Sequence, residues 1–259
     1  MADENISRSE KRILLLLKSC YALAWGALTG ITYQISARFA TIMTGNLLLL
    51  AVEAREWRVE EMLLTASLIA AYIGGGIAYD ALNILVEDKG RVLGVAMFAV
   101  VSMGALGDGL RHAQQSCTEG DRGRTLLCEG KDLYFLTPVS FLTGIVAGGH
   151  CNAHPDGVVS TLLTGHMRIP PNALLQICLG RAKDASARTI LRDKAVLSLA
   201  IVVAFFCGIL AGDAVEDRVL ERYARREFTP VFTLVGGFLA ALCVAHSRLC
   251  ERFLLHHRR

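Results

Sequence analysis

Apolar and polar residues follow one another along this chain in long blocks, and these blocks define the predicted elements. Eight apolar segments run roughly over 12–34, 39–54, 61–83, 91–111, 133–150, 157–178, 192–213 and 230–250. Most are close to the ~20 apolar residues that an α-helix needs to cross the hydrocarbon core of a bilayer. The pattern predicts an all-α fold, a polytopic transmembrane helix bundle with six to eight membrane segments.

Two of the eight segments depart from the pattern of an ordinary span. The second is short and is closed by Glu53 and Arg55, and the sixth contains Pro170-Pro171, which we expect to break or bend a helix. Both carry the pattern Thr-x-x-Thr-Gly, which is typical of a polar, helix-loosening motif at a transporter's substrate site. The two copies are Thr41, Thr44 and Gly45 followed by Asn46, and Thr161, Thr164 and Gly165 followed by His166.

The third and seventh segments also match each other. Ala71 and Gly75 recur as Ala204 and Gly208, and small residues four apart let helix backbones approach closely in lipid. Together with the two Thr-Gly motifs, this match predicts two internal repeats. The proposed organisation is a first membrane repeat over 1–112, a polar connecting loop over 113–132 and a second membrane repeat over 133–259.

Composition restricts the class of protein. The chain is 53% hydrophobic and its mean hydropathy is +0.43, so we expect a multi-pass integral protein of a plasma or inner membrane, with the lipid bilayer as its partner. The net charge is only +3, and the basic residues lie mainly between apolar segments, which argues against nucleic acid as a partner. There is no CxxC pair among the eight cysteines, and no cofactor is expected.

The number of crossings stays open at this stage. Eight crossings with a cytoplasmic N-terminus place most lysine and arginine residues inside and make the two halves parallel repeats. In the alternative, the second and sixth segments are re-entrant, six crossings remain and the repeats are inverted. Cys117 and Cys128 would then face an oxidising compartment and could pair. Charge placement favours eight.

These motifs resemble the YoaK family of uncharacterised membrane proteins, sometimes described as predicted permeases. Met43-Thr44-Gly45-Asn46 matches its M-T-G-N stretch, and Asn152-Ala153 fills the N-A part of its G-x-x-x-Q-N-A element, with Cys151 in place of glutamine. The family's first helix commonly has G-x-x-D-A, whereas this chain has Tyr33 at the aspartate position. The resemblance implies the fold and a permease-like role, and it adds Asn152 to the candidate site.

The candidate substrate-binding residues each have a structural alternative. Threonine hydroxyls can contact a ligand or bond the preceding helical carbonyls. Asn46 adds donors and an acceptor, and His166 can carry protons or be a neutral, hydrogen-bonded bundle residue. His150 and His154 are four apart, but the surrounding Gly148-Gly149 and Pro155 indicate a loop, so we expect no metal site.

The sequence favours a small permease or transporter for an unknown small solute or ion, with its pathway between the two repeats. A non-transport scaffold or partner-stabilising protein is the second hypothesis. The third is an intramembrane enzyme acting on a lipid or quinone through the region 150–156. No nucleotide loop, nucleophile elbow or paired-carboxylate motif is present, so enzyme activity is not expected.

Overall fold

The computed structural model describes residues 8–86, 88–115, 133–153, 163–179, 184–224 and 228–256. Every regular element in these ranges is a helix, which confirms the all-α prediction. Each of the eight apolar segments corresponds to one helix. They are α1 (Arg8–Ser36), α2 (Met43–Arg55), α3 (Val59–Leu85), α4 (Lys89–Gln115), α5 (Leu133–Ala153), α6 (Leu163–Cys178), α7 (Ala185–Ala224) and α8 (Val231–His256).

The helices differ in whether they are long enough to cross a membrane. Four contain stretches that are long and apolar enough: Leu15–Ser36, Val59–Leu85, Arg91–Gln114 and Ala185–Val215. Shorter apolar stretches, Phe135–Gly148 and Val231–Ala245, lie in α5 and α8. At 1.5 Å per residue, α2 and α6 reach only about 20 and 24 Å, against a core of ~30 Å. The protein is an integral membrane protein with a polytopic helical bundle.

The structure shows where the proline pair and the first motif glycine lie in their helices. Pro170 and Pro171 lie inside α6 and do not end it, although each removes one backbone donor. Gly45 lies in the first turn of α2 and therefore does not unwind a helix. The break in the helical backbone is earlier, at residues 37–42 between α1 and α2.

Helices α1 and α7 pack with their backbones in direct contact. A methyl group added to Gly26 would overlap the carbonyl oxygen of Phe205, and one added to Gly208 would overlap that of Leu23. Farther along both helices, Gly30 faces Ile209. From Gly26 to Gly30 in α1, the facing residue in α7 advances from Phe205 to Ile209, so the two helices run parallel.

Helices α3 and α5 pack in the same way. A methyl group on Gly75 would overlap the carbonyl oxygen of Phe141, and one on Gly144 would overlap that of Tyr72. The close backbone approach predicted at Gly75 and Gly208 is therefore found, with α5 as the partner of Gly75 and α1 as the partner of Gly208. Since Tyr79 meets Gly148 one turn farther on, α3 and α5 also run parallel.

Helices α4 and α8 run antiparallel. The aromatic rings of His112 in α4 and Phe228, just before α8, meet edge to face. A methyl group on Gly236 would lie 3.5 Å from the carbonyl oxygen of Val100. From the first contact to the second, the residue number rises from 228 to 236 toward α8 and falls from 112 to 100 in α4. Asp108 fixes this arrangement by capping the start of α8. Its carboxylate oxygens accept the backbone N–H groups of Phe232 at 2.9 Å and Thr233 at 2.7 Å, which are donors that an α-helix leaves unpaired at its N-terminus.

These directions decide between the two crossing patterns. If all eight helices crossed, α4 and α8 would point the same way, because an even number of crossings would separate them. The antiparallel pair requires an odd number of non-crossing helices among α5, α6 and α7, and the short α6 fits that role. With α6 not crossing, the parallel pair α1 and α7 is explained if the short α2 does not cross either. The chain directions are not those of eight successive crossings, and they fit the six-crossing alternative in which α2 and α6 are re-entrant.

We expect alanine at Gly75 or Gly208 to lower the free energy of unfolding by about 1–3 kcal/mol, because the added methyl group would force two helix backbones apart. Gly94→Ala is the matched control, since nothing lies within 4 Å of the position its methyl group would occupy. Chemical unfolding in detergent measures the effect. Equal stability of Gly75→Ala, Gly208→Ala and Gly94→Ala would contradict the close packing.

Six crossings place the connection between α4 and α5 on the opposite side of the membrane from the N-terminus. Its cysteines, Cys117 and Cys128, lie outside the described residues. With a cytoplasmic N-terminus, a membrane-impermeant maleimide should label them on intact cells, after reduction if they form a disulfide. A variant with serine at both positions is the control. Labelling that appears only after the cells are opened would show that the topology is wrong.

Candidate functional site

The chain reverses direction immediately after α1. Ala37 adopts a left-handed conformation with φ of 54°, and its N–H donates to the carbonyl of Tyr33 at 2.6 Å, as in a helix C-cap. Glycine usually occupies such a position because an L side chain is strained there. The reversal sends residues 38–42 back alongside α1 and into the bundle.

Two threonines of α1 hold the returning segment. The N–H of Ala40 donates to Thr32 Oγ1 at 3.4 Å, and the hydroxyls of Thr41 and Thr29 share a hydrogen bond of 2.5 Å. All four residues are buried. Because Thr29 lies seven residues before the end of α1, the segment penetrates about 10 Å below that end.

Helix α5 closes the other side of the segment. The carbonyl of Ala40 accepts the hydroxyls of Thr143 at 2.7 Å and Ser140 at 3.3 Å. Both side chains are fully buried and lie in the middle of α5. Both backbone groups of Ala40 are therefore bonded by side chains inside the bundle, as irregular backbone at membrane depth requires.

The side chain of Asn46 completes the enclosure from α2. Its Oδ1 accepts the N–H of Phe39 at 3.1 Å, and its Nδ2 donates to the carbonyl of Phe39 at 2.5 Å. The ring of Phe39 stacks on Tyr33 and covers Gly45, where a methyl group would lie 2.8 Å from the ring. We call residues 37–55 the re-entrant hairpin, because 37–42 descend into the bundle and α2 returns.

Arg38 anchors the outer end of the re-entrant hairpin. Its guanidinium donates to the carbonyl of Ser36 and to the hydroxyl of Thr65 in α3, each at 3.1 Å. It also pairs with Glu53 of α2 at 2.9 Å and with Glu61 of α3 at 3.3 Å. One side chain thus links the end of α1, the end of α2 and the start of α3.

The structure brings together the first-half candidates but gives them different roles. Thr41 and Asn46 are buried and take part in internal hydrogen bonds, and Gly45 lies under Phe39. Thr44, in the first turn of α2, is the exposed member of the motif. Asn152 lies on α5, and Thr164, Gly165 and His166 lie on α6, but their side chains and all of Thr161 fall outside the described residues.

Sequence reasoning missed most of the residues that enclose the hairpin, namely Thr29, Thr32, Ser140, Thr143 and Arg38. A signal was present for four of them. Thr29 and Thr32 are three apart in an apolar helix, as are Ser140 and Thr143, and this spacing places both hydroxyls on one face. Arg38 gave no such signal, because a lone arginine after an apolar segment reads as an interfacial charge.

No group of three or more His, Cys, Asp or Glu side chains suited to a metal ion occurs in the described part of the chain. Around the hairpin's tip the side chains that touch its backbone are neutral hydroxyls and an amide. Such a surface can bind a polar solute by hydrogen bonds.

Comparison with known families supports the class of protein that this bundle defines. Residues 17–223 match the family described as "Protein of unknown function (DUF1275)", and the chain belongs to that family. This assignment confirms the resemblance to the YoaK-like membrane proteins. No significant match was found among the curated proteins or among the solved structures.

We expect Asn46→Ala to destabilise the protein by about 2–4 kcal/mol, because both backbone groups of Phe39 would lose their partner in a buried turn. Thr44→Val, two residues earlier and exposed, should change stability by less than about 0.5 kcal/mol. Unfolding in detergent, monitored by circular dichroism, compares the two variants. An Asn46→Ala protein as stable as the Thr44→Val protein would show that the amide bridge contributes nothing.

Proposed function

We propose that this protein is a small permease whose pathway passes the tip of the re-entrant hairpin. The observation that carries the proposal is the non-helical segment 37–42 at the centre of the bundle, with Thr44 exposed beside it. In transporters, interrupted helices near the bilayer midplane form substrate sites, since their backbone and small polar side chains supply hydrogen bonds. The chemistry at this tip suits a small polar solute.

Paired contacts support the duplication that the transport hypothesis needs. Gly75 faces the carbonyl of Phe141 as Gly208 faces that of Leu23, and Gly104 faces the carbonyl of Phe232 as Gly236 faces that of Val100. Two four-helix halves related by a pseudo-twofold axis would produce such pairs. With six crossings the axis lies in the membrane plane, and the halves are inverted repeats.

Inverted repeats would place a second hairpin opposite the first. In the order along the chain, the second Thr-x-x-Thr-Gly motif, at 161–165, and α6 correspond to 41–45 and α2 of the first half. A hairpin from each side of the membrane would bring Thr44 and Thr164 toward the centre of the pathway. This arrangement gives a solute hydrogen-bonding groups from both halves.

The test is solute entry into proteoliposomes, followed by stopped-flow light scattering under gradients of glycerol, urea or potassium chloride. We expect at least one solute to enter faster than in protein-free liposomes. Thr44→Val and Thr164→Val should each slow that entry about 2- to 10-fold, the effect of losing one hydrogen bond. Thr189→Val, on an exposed turn of α7, is the matched control.

Two outcomes would overturn the proposal. If no solute in the panel enters faster than in protein-free liposomes, the scaffold hypothesis replaces it. If solute enters but both threonine variants behave like Thr189→Val, the protein transports by a route that avoids the hairpins.

A further inference from the structure

Helix α1 carries a basic side chain inside the bundle. Lys18 lies near the start of the apolar stretch Leu15–Ser36 and is 1% exposed. A lysine close to the end of a span usually extends its ammonium group into water, but the Nζ atom of Lys18 is itself buried. A basic group inside a membrane bundle is costly to bury, so its presence points to a functional site.

Two further donors lie on the same face of α1. Tyr21 and Trp25 follow Lys18 at spacings of three and four, and their rings stack with centroids 5.7 Å apart. Both side chains are buried. The indole Nε1–H of Trp25 meets no hydrogen-bond acceptor within the described part of the chain. Because a buried indole N–H normally has an acceptor, this donor calls for a ligand.

The position of Trp25 in α1 corresponds to that of Thr143 in α5. The carbonyls of Leu23 and Phe141 each lie against a glycine of the neighbouring helix, and each precedes the compared position by two residues. Thr143 donates to the carbonyl of Ala40 at the tip of the re-entrant hairpin. With the halves as inverted repeats, Trp25 faces the pathway from the opposite side, and its N–H is available to a solute there.

The carboxylates that are buried among the described residues, Glu53 and Asp108, lie on other helices. Glu53 pairs with Arg38 at 2.9 Å, beyond the end of α1 that is about 27 Å from Lys18 along the helix. Asp108 caps α8 and has Arg111 one turn farther along α4. The face of α1 therefore combines a positive charge with O–H and N–H donors, and the ligand that accepts from all of these is an anion.

We propose that the face of α1 formed by Lys18, Tyr21 and Trp25 binds a small monovalent anion, such as chloride or formate, and that this anion is the transported solute. The second half of the statement rests on the permease function proposed above. Lys18 attracts the anion by its charge, and the other two side chains donate hydrogen bonds to it. Seven residues separate the first donor from the last, so the donors extend over about 10 Å of the pathway.

Fluorescence quenching tests the anion site without any transport. The chain has two tryptophans, and Trp57 is 84% exposed, so Trp57→Phe leaves the buried Trp25 as the single fluorophore. At constant ionic strength, iodide should quench Trp25 saturably, and chloride or formate should displace it. Adding Lys18→Gln should weaken iodide binding by about 10-fold or more, whereas Lys18→Arg, which keeps the charge, should change it by less than about 3-fold. Quenching by neutral acrylamide is the control and should be equal in both variants.

Solute entry tests whether the bound anion is also transported. In proteoliposomes containing valinomycin, which lets potassium balance the charge, potassium chloride or potassium formate should enter faster than glycerol or urea. Trp25→Phe retains an aromatic ring and removes the N–H, so it should slow anion entry about 2- to 10-fold.

The two assays separate this inference from the proposed function. Iodide quenching that is absent, that chloride and formate do not displace, or that is unchanged by Lys18→Gln would overturn the anion site. Entry of glycerol or urea without either anion would overturn the anion as solute and leave the permease standing. Saturable quenching without entry of any solute would keep the anion site and overturn the permease.

Discussion

The structure depends on one constraint: inside an apolar bundle, every backbone N–H and C=O needs a partner within the protein. Helices meet this requirement by themselves, but residues 37–42 leave the helical conformation at the centre of the bundle. The backbone groups of Phe39 and Ala40 in this segment are bonded by side chains from three helices, with Thr32 from α1, Ser140 and Thr143 from α5, and Asn46 from α2. Polar side chains from α1, α5 and α2 therefore have to lie within hydrogen-bonding distance of the same turn.

Close helix packing makes that convergence possible. Glycines let α1 approach α7, and α3 approach α5, until backbones touch, because no side chain stands between them. Since α2 is connected to α3 by a short turn, the α3–α5 contact also sets the distance between the hairpin and α5. Threonine and serine side chains are short, so their hydrogen bonds to Ala40 require this approach.

The two ends of the hairpin have different chemistry. At the tip, around Phe39 and Ala40, the side chains that bond the backbone are uncharged hydroxyls and an amide. Thr44, close to this tip, is exposed. At the outer end, Arg38 has two carboxylate partners at similar distances, and one carboxylate is buried with an unpaired oxygen.

The sequence alone determined the class of protein, the eight helices, the family and the region of the first hairpin. Apolar blocks and glycine spacing are properties of the local sequence, and they do not depend on how the helices are packed. Tertiary structure alone decided which helices pair and the direction in which they run, neither of which follows from lysine and arginine counts. It also decided that Asn46 bonds Phe39 and that Arg38 meets Glu53, because such pairings join residues 7 and 15 positions apart across a turn whose path no local pattern records.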